Sequence, residues 1–345
     1  MRVQARFRLM KILVIGGTRN LGHRLVHKLV SLGHEITVFN RGKTKDDLPE
    51  AVERLHGDRT DPVQLTRALQ GRRFDTVVDN ALYKGAEVEP VVKLFKDQIG
   101  QYLFLSTGQV YLVREGIERP FHETDYEGRL MPSPKPNTYG YEEWMYGIEK
   151  RRAEDALKAA WEQQNFPYTS LRLPMVNSER DHFHRLYNYI LRLNDGGPIL
   201  APSTPNYPLR HVYADDVVTA MLKLIDTGIG KGQTYNISQD ETVPLDEFLA
   251  MLGSFLGVEA QVVRVRRDTL EANGFLPDCS PFTERWMSEL DNTRSKQEFG
   301  MTYTPLRTYL EKIVAFYAAN PPPKPASYHR RRAELLLLEH SGTLA

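Results

Sequence analysis

The chain has 345 residues, 41% of them hydrophobic, which is enough to bury a sizeable core in one large domain or two smaller ones. Its 45 basic and 44 acidic side chains nearly balance, which argues against an overall field that recruits nucleic acid or a membrane surface. A single cysteine, Cys279, excludes a disulfide framework and fits a cytoplasmic protein, and no apolar run reaches the roughly 18–20 residues that span a bilayer.

The predicted elements begin after a basic leader, residues 1–9, which lacks the apolar core of a signal peptide. We interpret Met10 as the natural start and the leader as an upstream extension or a short ordered arm. Apolar runs closed by turn residues predict strands at 11–15, 35–39, 52–56, 76–78, 102–106 and 169–173. Helical spacing predicts helices at 21–30, 62–69, 88–95 and 141–163. Strands that alternate with helices predict an α/β fold, a doubly wound parallel sheet of the Rossmann type.

This rhythm stops after Pro174. Prolines interrupt residues 198–208, the stretch 209–213 is extended, and 215–225 and 245–256 have helical spacing. We therefore predict a smaller, interleaved α/β substrate-binding domain. The predicted division is 10–175 for the Rossmann domain, with 209–228 returning to it, 176–208 and 229–330 for the substrate-binding domain, and 331–345 for a tail. Residues 330–338 form a predicted amphipathic helix that lies on the surface or binds a partner.

A glycine-rich turn joins the first predicted strand to the first predicted helix. Gly16 permits the tight exit from the strand, and Gly22 lets the helix pack close to the sheet. Backbone N–H groups between them face a pyrophosphate at the helix N-terminus, so the predicted cofactor-binding residues here are Gly16, Thr18, Arg19, Asn20, Leu21 and Gly22. Arg19 replaces the usual middle glycine and can lie along the phosphates. The alternative is a tight turn that binds no nucleotide.

The end of the second strand bears on the choice of cofactor. Asn40 stands where a carboxylate would otherwise bind the ribose 2′-hydroxyl of NAD, and Arg41 and Lys43 can attract a 2′-phosphate. These residues favour NADP over NAD, although Arg41 is alternatively a solvated loop cation. Asp58, just after the third strand, is placed to bind the adenine amino group or to stabilise its own turn.

Tyr146 and Lys150 are four residues apart on a predicted helix and share one face. A lysine ammonium beside a phenol lowers the pKa of the phenol, which would make Tyr146 a usable base near neutral pH. Thr107 follows the fifth strand, where its hydroxyl can hold a substrate oxygen. A Tyr-x-x-x-Lys pair also occurs by chance on exposed helices, but here it follows a strand-end Ser-Thr pair within a dinucleotide fold.

These motifs carry a family resemblance over about residues 10–320. The matching segments are 16–22, 57–58, 105–111, 146–150, 171–174, 212–216 and 235–237. The sequence resembles the extended short-chain dehydrogenase/reductase superfamily, in its NAD(P)-dependent epimerase/dehydratase group. Its Gly-Gly-Thr-Arg turn and Phe-Asn-Arg-Gly segment are similar to a divergent branch that contains chloroplast stem-loop RNA-binding proteins.

The resemblance implies that Thr107, Tyr146 and Lys150 are catalytic and that the tyrosine transfers a proton while hydride moves between substrate and nicotinamide. It implies sugar substrates, often nucleotide-linked, and a homodimer. Further cofactor-binding residues that we expect from it are Arg59, Asn80, Ala81, Tyr146, Lys150 and Pro174.

The sequence also departs from the family pattern. Dehydratases carry an Asp-Glu pair directly after the threonine, and family decarboxylases carry a glutamate at the position of Gln109, whereas this chain has Gly108-Gln109. We therefore expect simple redox chemistry, either by a reductase or dehydrogenase or by an epimerase that passes through a keto intermediate. The insertion at 114–136 is either a lid over the substrate or a surface loop.

The sugar end of the site is the least defined. Asn177, Arg180, Arg210 and His211 are candidates to bind a diphosphate or sugar hydroxyls, or they are ordinary surface polar groups. His182 and His184 resemble a metal pair in spacing, but no carboxylate or cysteine cluster accompanies them, so we predict no metal site.

Two functions therefore remain open. The first is an NADP-dependent oxidoreductase or epimerase that acts on a sugar. The second is a non-enzymatic RNA-binding or regulatory protein on the same fold. The balanced charge, the lack of a basic stripe with interleaved aromatic residues, and the intact Tyr146–Lys150 pair argue against nucleic acid as a partner.

Overall fold

The structure, a computed structural model, describes residues 9–340. The strands are β1 (Lys11–Ile15), β2 (Glu35–Asn40), β3 (Glu53–His56), β4 (Thr76–Asp79), β5 (Gln101–Thr107), β6 (Tyr168–Leu173), β7 (Val176–Asn177), β8 (Ile199–Pro202), β9 (Val212–Tyr213), β10 (Gln233–Asn236) and β11 (Val262–Val265). The helices are α1 (Asn20–Ser31), α2 (Pro62–Leu69), α3 (Val88–Phe95), α4 (Gln109–Leu112), α5 (Tyr139–Gln164), α6 (Arg185–Asn194), α7 (Ala214–Thr227), α8 (Leu245–Leu256), α9 (Arg267–Ala272), α10 (Thr293–Phe299), α11 (Leu306–Ala319) and α12 (Arg331–His340). The expected leader, apart from Leu9, and the end of the predicted tail lie outside the described residues.

The main sheet has seven parallel strands in the order β10-β6-β5-β4-β1-β2-β3. This order confirms the predicted doubly wound Rossmann fold. The strand order reverses between β1 and β4, and in such sheets the crevice at the carboxyl ends of these strands is where a ligand binds. The strands β4 and β5 are buried along their whole length, as expected for a parallel sheet covered on both faces.

The chain divides into two compact units. The larger unit contains the residues up to Pro174 together with Ala214–Ser238 and Leu290–Thr302, and the smaller contains Met175–Tyr213, Gln239–Glu289 and the residues from Tyr303 onward. The predicted boundaries need correction, because β10 pairs with β6 and thereby brings the segment up to Ser238 into the larger unit. The segment Leu290–Thr302 joins the same unit, and within it Arg294 donates a hydrogen bond of 3.0 Å to the Thr234 carbonyl in β10.

The smaller unit is built around an apolar core from α6, α8 and α11, in which Tyr189, Phe248 and Ile313 are fully buried. Two short parallel pairs, β8 with β11 and β7 with β9, belong to the same unit.

The helix α12 belongs to the smaller unit, so its prediction as part of a separate tail needs correction. Its Glu334 forms a buried ion pair of 2.5 Å with Arg192, and its Arg331 forms one of 2.7 Å with Asp195. Leu338 is buried in an apolar cluster with residues of the same unit. These contacts tie the tail to the body of that unit.

The insertion at 114–136 is anchored in its first half. Phe121 and Tyr126 are buried, and the Tyr126 hydroxyl donates a hydrogen bond of 2.7 Å to Asp155 on α5. The residues from 127 to 138 are mostly exposed, so a mobile lid remains a prediction for that part alone. Within the described part of the chain, every helix is too short or too polar to cross a membrane.

Candidate active site

The turn between β1 and α1 requires glycine at two positions. Gly16 has a φ of +80°, in the left-handed region that side chains disfavour. A Cβ atom on Gly22 would lie 2.9 Å from the Gly17 Cα and would collide with the carbonyl oxygen of Gly16. Both glycines therefore keep the start of the helix close to the end of the strand, as a phosphate-binding turn needs.

The groups at this turn fit a dinucleotide. The helix begins after Arg19 without a side-chain cap, so its first N–H groups face outward at the positive end of the helix. Among the described residues, the buried side-chain oxygen of Asn20 and both polar atoms of the Asn80 side chain have no hydrogen-bond partner. Buried polar atoms without partners are costly, so a polar ligand at this place would satisfy them.

The other predicted residues of the turn surround this place. Thr18 and Leu21 are partly buried, whereas Arg19 is exposed. A Cβ on Gly16 would lie 3.4 Å from the Ala81 side chain, so Ala81 lines the turn from the end of β4. The structure thus brings the predicted phosphate-binding residues together around the carboxyl ends of β1 and β4.

The predicted adenosine end is also assembled. Hydrogen bonds from the backbone and side chain of Thr60 lower the pKa of Asp58, and the nearby charges of Arg41 and Lys43 lower it further. Arg41 and Lys43 are exposed beside this carboxylate. Asn40 accepts a hydrogen bond of 2.7 Å from the Gly42 N–H, which stabilises the turn that carries both cations.

The predicted binding of cofactor by Arg59 is wrong for its side chain, which pairs with carboxylates of the protein itself. The guanidinium is buried, with Nη2 2.7 Å from Asp79 and Nη1 3.1 Å from Glu87. The Tyr102 hydroxyl also donates to the same Asp79 oxygen, at 2.6 Å. Arg59 therefore neutralises a buried carboxylate at the end of β4 and has a structural role.

Thr107 ends β5, and its hydroxyl is hydrogen-bonded to the side chain of Tyr146 on α5. Burial raises the pKa of Tyr146 above its usual value, and nearby Tyr83 and Glu143 raise it further, whereas the hydrogen bond from Thr107 opposes this shift. The expectation that Lys150 lowers the pKa of this phenol is therefore not met in this structure.

Two backbone carbonyl groups hold the Lys150 ammonium near the Tyr146 ring. Its Nζ donates to the carbonyl oxygens of Leu82, at 2.7 Å, and Leu105, at 2.8 Å, and lies 5.9 Å from the centre of the Tyr146 ring. Burial lowers the pKa of this ammonium to about 7. These contacts fix α5 to the loop after β4 and to the strand β5, so Lys150 positions the helix that carries Tyr146.

Sequence reasoning missed Glu143. The Gln109 amide donates to a side-chain oxygen of Glu143 and, at 3.2 Å, to its backbone carbonyl. The Gln109 N–H also donates to the Thr107 hydroxyl, at 3.2 Å. Glu143 precedes Tyr146 by three residues on one helix, and this spacing was the sequence signal that could have identified it.

The predicted substrate residues have different surroundings. Asn177 and His211 are fully buried and share a hydrogen bond of 3.0 Å, and Asn177 donates another to the Tyr309 hydroxyl. Burial lowers the pKa of His211 to about 3, so its imidazole is neutral. These two side chains are part of the core of the smaller unit, so they are not ordinary surface polar groups, and their binding of substrate stays a prediction.

Three predicted site residues remain: Arg210 and Arg180 for the substrate, and Pro174 for the cofactor. Arg210 donates to the Gln239 carbonyl at 2.9 Å, which holds it within the smaller unit, and Arg180 is exposed. In the larger unit, Pro174 is buried directly after β6.

The fold and this constellation define a class: a Rossmann-type α/β protein with a phosphate-binding turn, a threonine at the end of β5 and a Tyr-x-x-x-Lys pair on α5. Residues 12–238 match the NAD dependent epimerase/dehydratase family, and the chain belongs to that family.

Its relatives have several functions. The chain is 26% identical to the chloroplast stem-loop binding protein of 41 kDa b of Arabidopsis thaliana over 249 residues, which cover 68% of this chain and 60% of that protein. It is 22% identical to 2′-dehydrokanamycin reductase of Streptomyces kanamyceticus over 290 residues, which cover 82% and 77%. The crystal structure of UDP-glucose 4-epimerase with UDP-glucose, from Thermotoga maritima, has the same fold, with a TM-score of 0.70, 20% identity, and coverage of 91% and 100%.

The exclusion of dehydratases is not supported, since the family to which the chain belongs includes them. That expectation rested only on Gly108-Gln109, which replaces an acidic pair directly after Thr107. In the structure a carboxylate of α5, that of Glu143, lies beside Gln109.

Proposed function

We propose that this protein is an NADP-dependent oxidoreductase or epimerase that acts on a sugar of the nucleotide-linked class, with Tyr146 as the acid/base group. The observation that carries the proposal is the pair of Thr107, at the end of β5, and Tyr146 on α5, with Lys150 anchored one turn further along that helix. This pair stands at the same edge of the sheet as the phosphate-binding turn, because all seven strands are parallel.

The bound nicotinamide would supply the hydride acceptor or donor. The Tyr146 hydroxyl would hold or release the proton at its phenolic oxygen. Thr107 would orient this oxygen and the substrate oxygen with which Tyr146 exchanges the proton. Lys150, anchored on the Leu82 and Leu105 carbonyls, keeps α5 in position. Thr107 and Lys150 are buried, whereas Tyr146 is partly exposed.

The preference for NADP rests on charge at the end of β2. Arg41 and Lys43 follow Asn40 and can attract a 2′-phosphate. Asn40 itself has no carboxylate that would repel this phosphate. Titration with NADP⁺ and NAD⁺ tests this: we expect NADP⁺ to bind more tightly and Arg41→Ala to reduce that difference. Tighter binding of NAD⁺ by the unaltered protein would contradict the preference.

A nucleotide sugar is supported by the epimerase of the same fold that was crystallised with UDP-glucose, and a keto group as substrate by the similarity to a dehydrokanamycin reductase. We assign sugar binding to the smaller unit, with exposed Arg180 as a candidate for the diphosphate. A cytoplasmic location and a homodimer complete the proposal.

The deciding experiment combines cofactor binding with turnover. Purified protein should bind NADP(H) and exchange hydride with a panel of nucleotide-linked and free keto-sugars, and Tyr146→Phe should abolish turnover while binding persists. Tyr139→Phe, an exposed tyrosine on the same helix, is the matched control. Absence of NADP(H) binding, or full turnover by Tyr146→Phe, would refute the proposal.

The similarity to a plant stem-loop binding protein favours RNA binding as a second candidate function. A gel-shift titration with a structured RNA at several salt concentrations separates the two. Specific binding with a steep salt dependence would support the second candidate.

A further inference from the structure

Three metal-ligating side chains converge in the larger unit, away from the Thr107–Tyr146 pair. His23 and His27 lie one turn apart on α1, and their Nε2 atoms are 3.1 Å apart. An oxygen of Asp47 lies 2.6 Å from the His23 Nε2. All three ligand atoms lie within 4.8 Å of one another.

The His23 Nε2 cannot donate to Asp47 and accept from His27 at the same time. The Nε2 of a neutral imidazole either carries one hydrogen or has one lone pair. If the His23 Nε2 donates its hydrogen to Asp47, it has no lone pair left to accept a hydrogen from His27. If it accepts from His27, it has no hydrogen for the Asp47 carboxylate. A single cation placed among the three atoms would accept all three lone pairs at once.

The distances also suit a small transition-metal ion. Histidine nitrogen and carboxylate oxygen bind Zn²⁺ at about 2.0–2.2 Å, which places neighbouring ligand atoms roughly 3.0–3.5 Å apart. The two imidazole nitrogens, 3.1 Å apart, have such a separation, whereas the Asp47 oxygen, 2.6 Å from the His23 Nε2, would have to move outward by rotation of its exposed side chain. Two imidazoles and one carboxylate favour zinc and its neighbours over magnesium or calcium, which prefer oxygen ligands.

The scaffold holds the ligands in place. His23 is buried and His27 is partly buried on a twelve-residue helix. The segment that carries Asp47 is held by Arg54, which donates to Asp46 at 3.0 Å and to the carbonyl oxygens of Leu48 and Val52 at 2.8 and 2.9 Å. The two histidines and the backbone around Asp47 are thus held in place, and the exposed Asp47 side chain is the ligand that would adjust to the ion.

We propose that His23, His27 and Asp47 form a binding site for a divalent transition metal of the Zn²⁺ type, with an open position for water. The ion would join α1 to the segment after β2. The sequence prediction of no metal site considered only His182 and His184, whereas the His-x-x-x-His spacing on α1 was the signal that pointed to this place.

Tag-free protein, first treated with a chelator and then dialysed, is titrated with Zn²⁺ in competition with a chromophoric chelator. We expect one site per chain, weakened at least about tenfold in His27→Gln and in Asp47→Asn. His182→Gln changes an exposed histidine elsewhere and should leave the affinity unchanged. Zinc should also raise the Tm of the unaltered protein and not that of His27→Gln.

The Tm values of the metal-free variants show whether they fold. Absence of stoichiometric binding by the unaltered protein would overturn the proposal. Equal affinity in folded His27→Gln would also overturn it, since the zinc would then be bound elsewhere. The experiment does not depend on turnover, so its outcome is separate from that of the proposed oxidoreductase activity.

Discussion

Gln109 and Glu143 are joined by two hydrogen bonds from one amide group, which link the residues after β5 to the first turns of α5 beside Tyr146. The amide therefore holds a carboxylate one helical turn before the proposed acid/base residue. This carboxylate raises the pKa of Tyr146 through its negative charge.

Glu143→Gln should lower the pKa of Tyr146, because the substitution removes the negative charge that disfavours the phenolate. The basic limb of the pH profile of kcat/KM for hydride transfer should then move to lower pH. Glu142→Gln, an exposed neighbour, is the control and should leave the profile in place. An unchanged profile in Glu143→Gln would show that the carboxylate does not act on Tyr146.

Lys150 should make stability depend on pH above neutrality. Burial lowers its pKa to about 7 from the usual 10.5, so between these values the unfolded chain binds a proton that the folded chain lacks. The free energy of unfolding should therefore rise with pH across this window, at up to about 1.4 kcal/mol per pH unit from this group.

Lys150→Met should remove that contribution. Urea unfolding of both proteins between pH 7 and 10 measures the difference, and the exposed Lys158→Met is the control. The slope is the readout, because the substitution also removes the hydrogen bonds to Leu82 and Leu105 and lowers stability at every pH. Parallel curves would contradict the prediction.

His211 should make the protein sensitive to acid. Burial lowers its pKa to about 3 from the usual 6.5, so between these values only the unfolded chain binds the proton and stability falls as the pH falls. Between pH 6.5 and 5 this group should lower the free energy of unfolding by roughly 2 kcal/mol. Over that range the free energy of unfolding of His211→Gln should fall less than that of the unaltered protein. The control His182→Gln changes an exposed histidine and should lose as much stability as the unaltered protein.

Glu334→Ala should strongly destabilise the smaller unit. The partner, Arg192, is fully buried, so the substitution leaves an uncompensated cation in the core. We expect a loss of about 3–5 kcal/mol in the free energy of unfolding, measured by urea denaturation. Glu339→Ala, on an exposed position of the same helix, should change it little. A similarly small loss in Glu334→Ala would show that the ion pair contributes no net stability.

Local patterns predicted much of the fold. The helices α2, α3 and α8 begin and end at the predicted residues, and β1 does so too. The requirement for glycine at positions 16 and 22 was also predicted, and the backbone geometry confirms it. Periodicity, caps and glycine conformations act within a few residues, so the sequence contains these signals directly.

The tertiary structure decided which charged and polar groups pair. Arg59 neutralises Asp79 twenty positions later, and Arg192 pairs with Glu334 142 positions later. Such pairings depend on strand order and helix packing, which place distant segments side by side, and no local periodicity encodes them. For the same reason, the sequence alone identified Tyr146 and Lys150, which are four residues apart on one helix. The contact of Gln109 with Glu143 and the approach of Asp47 to His23 on α1 depend on the folded chain.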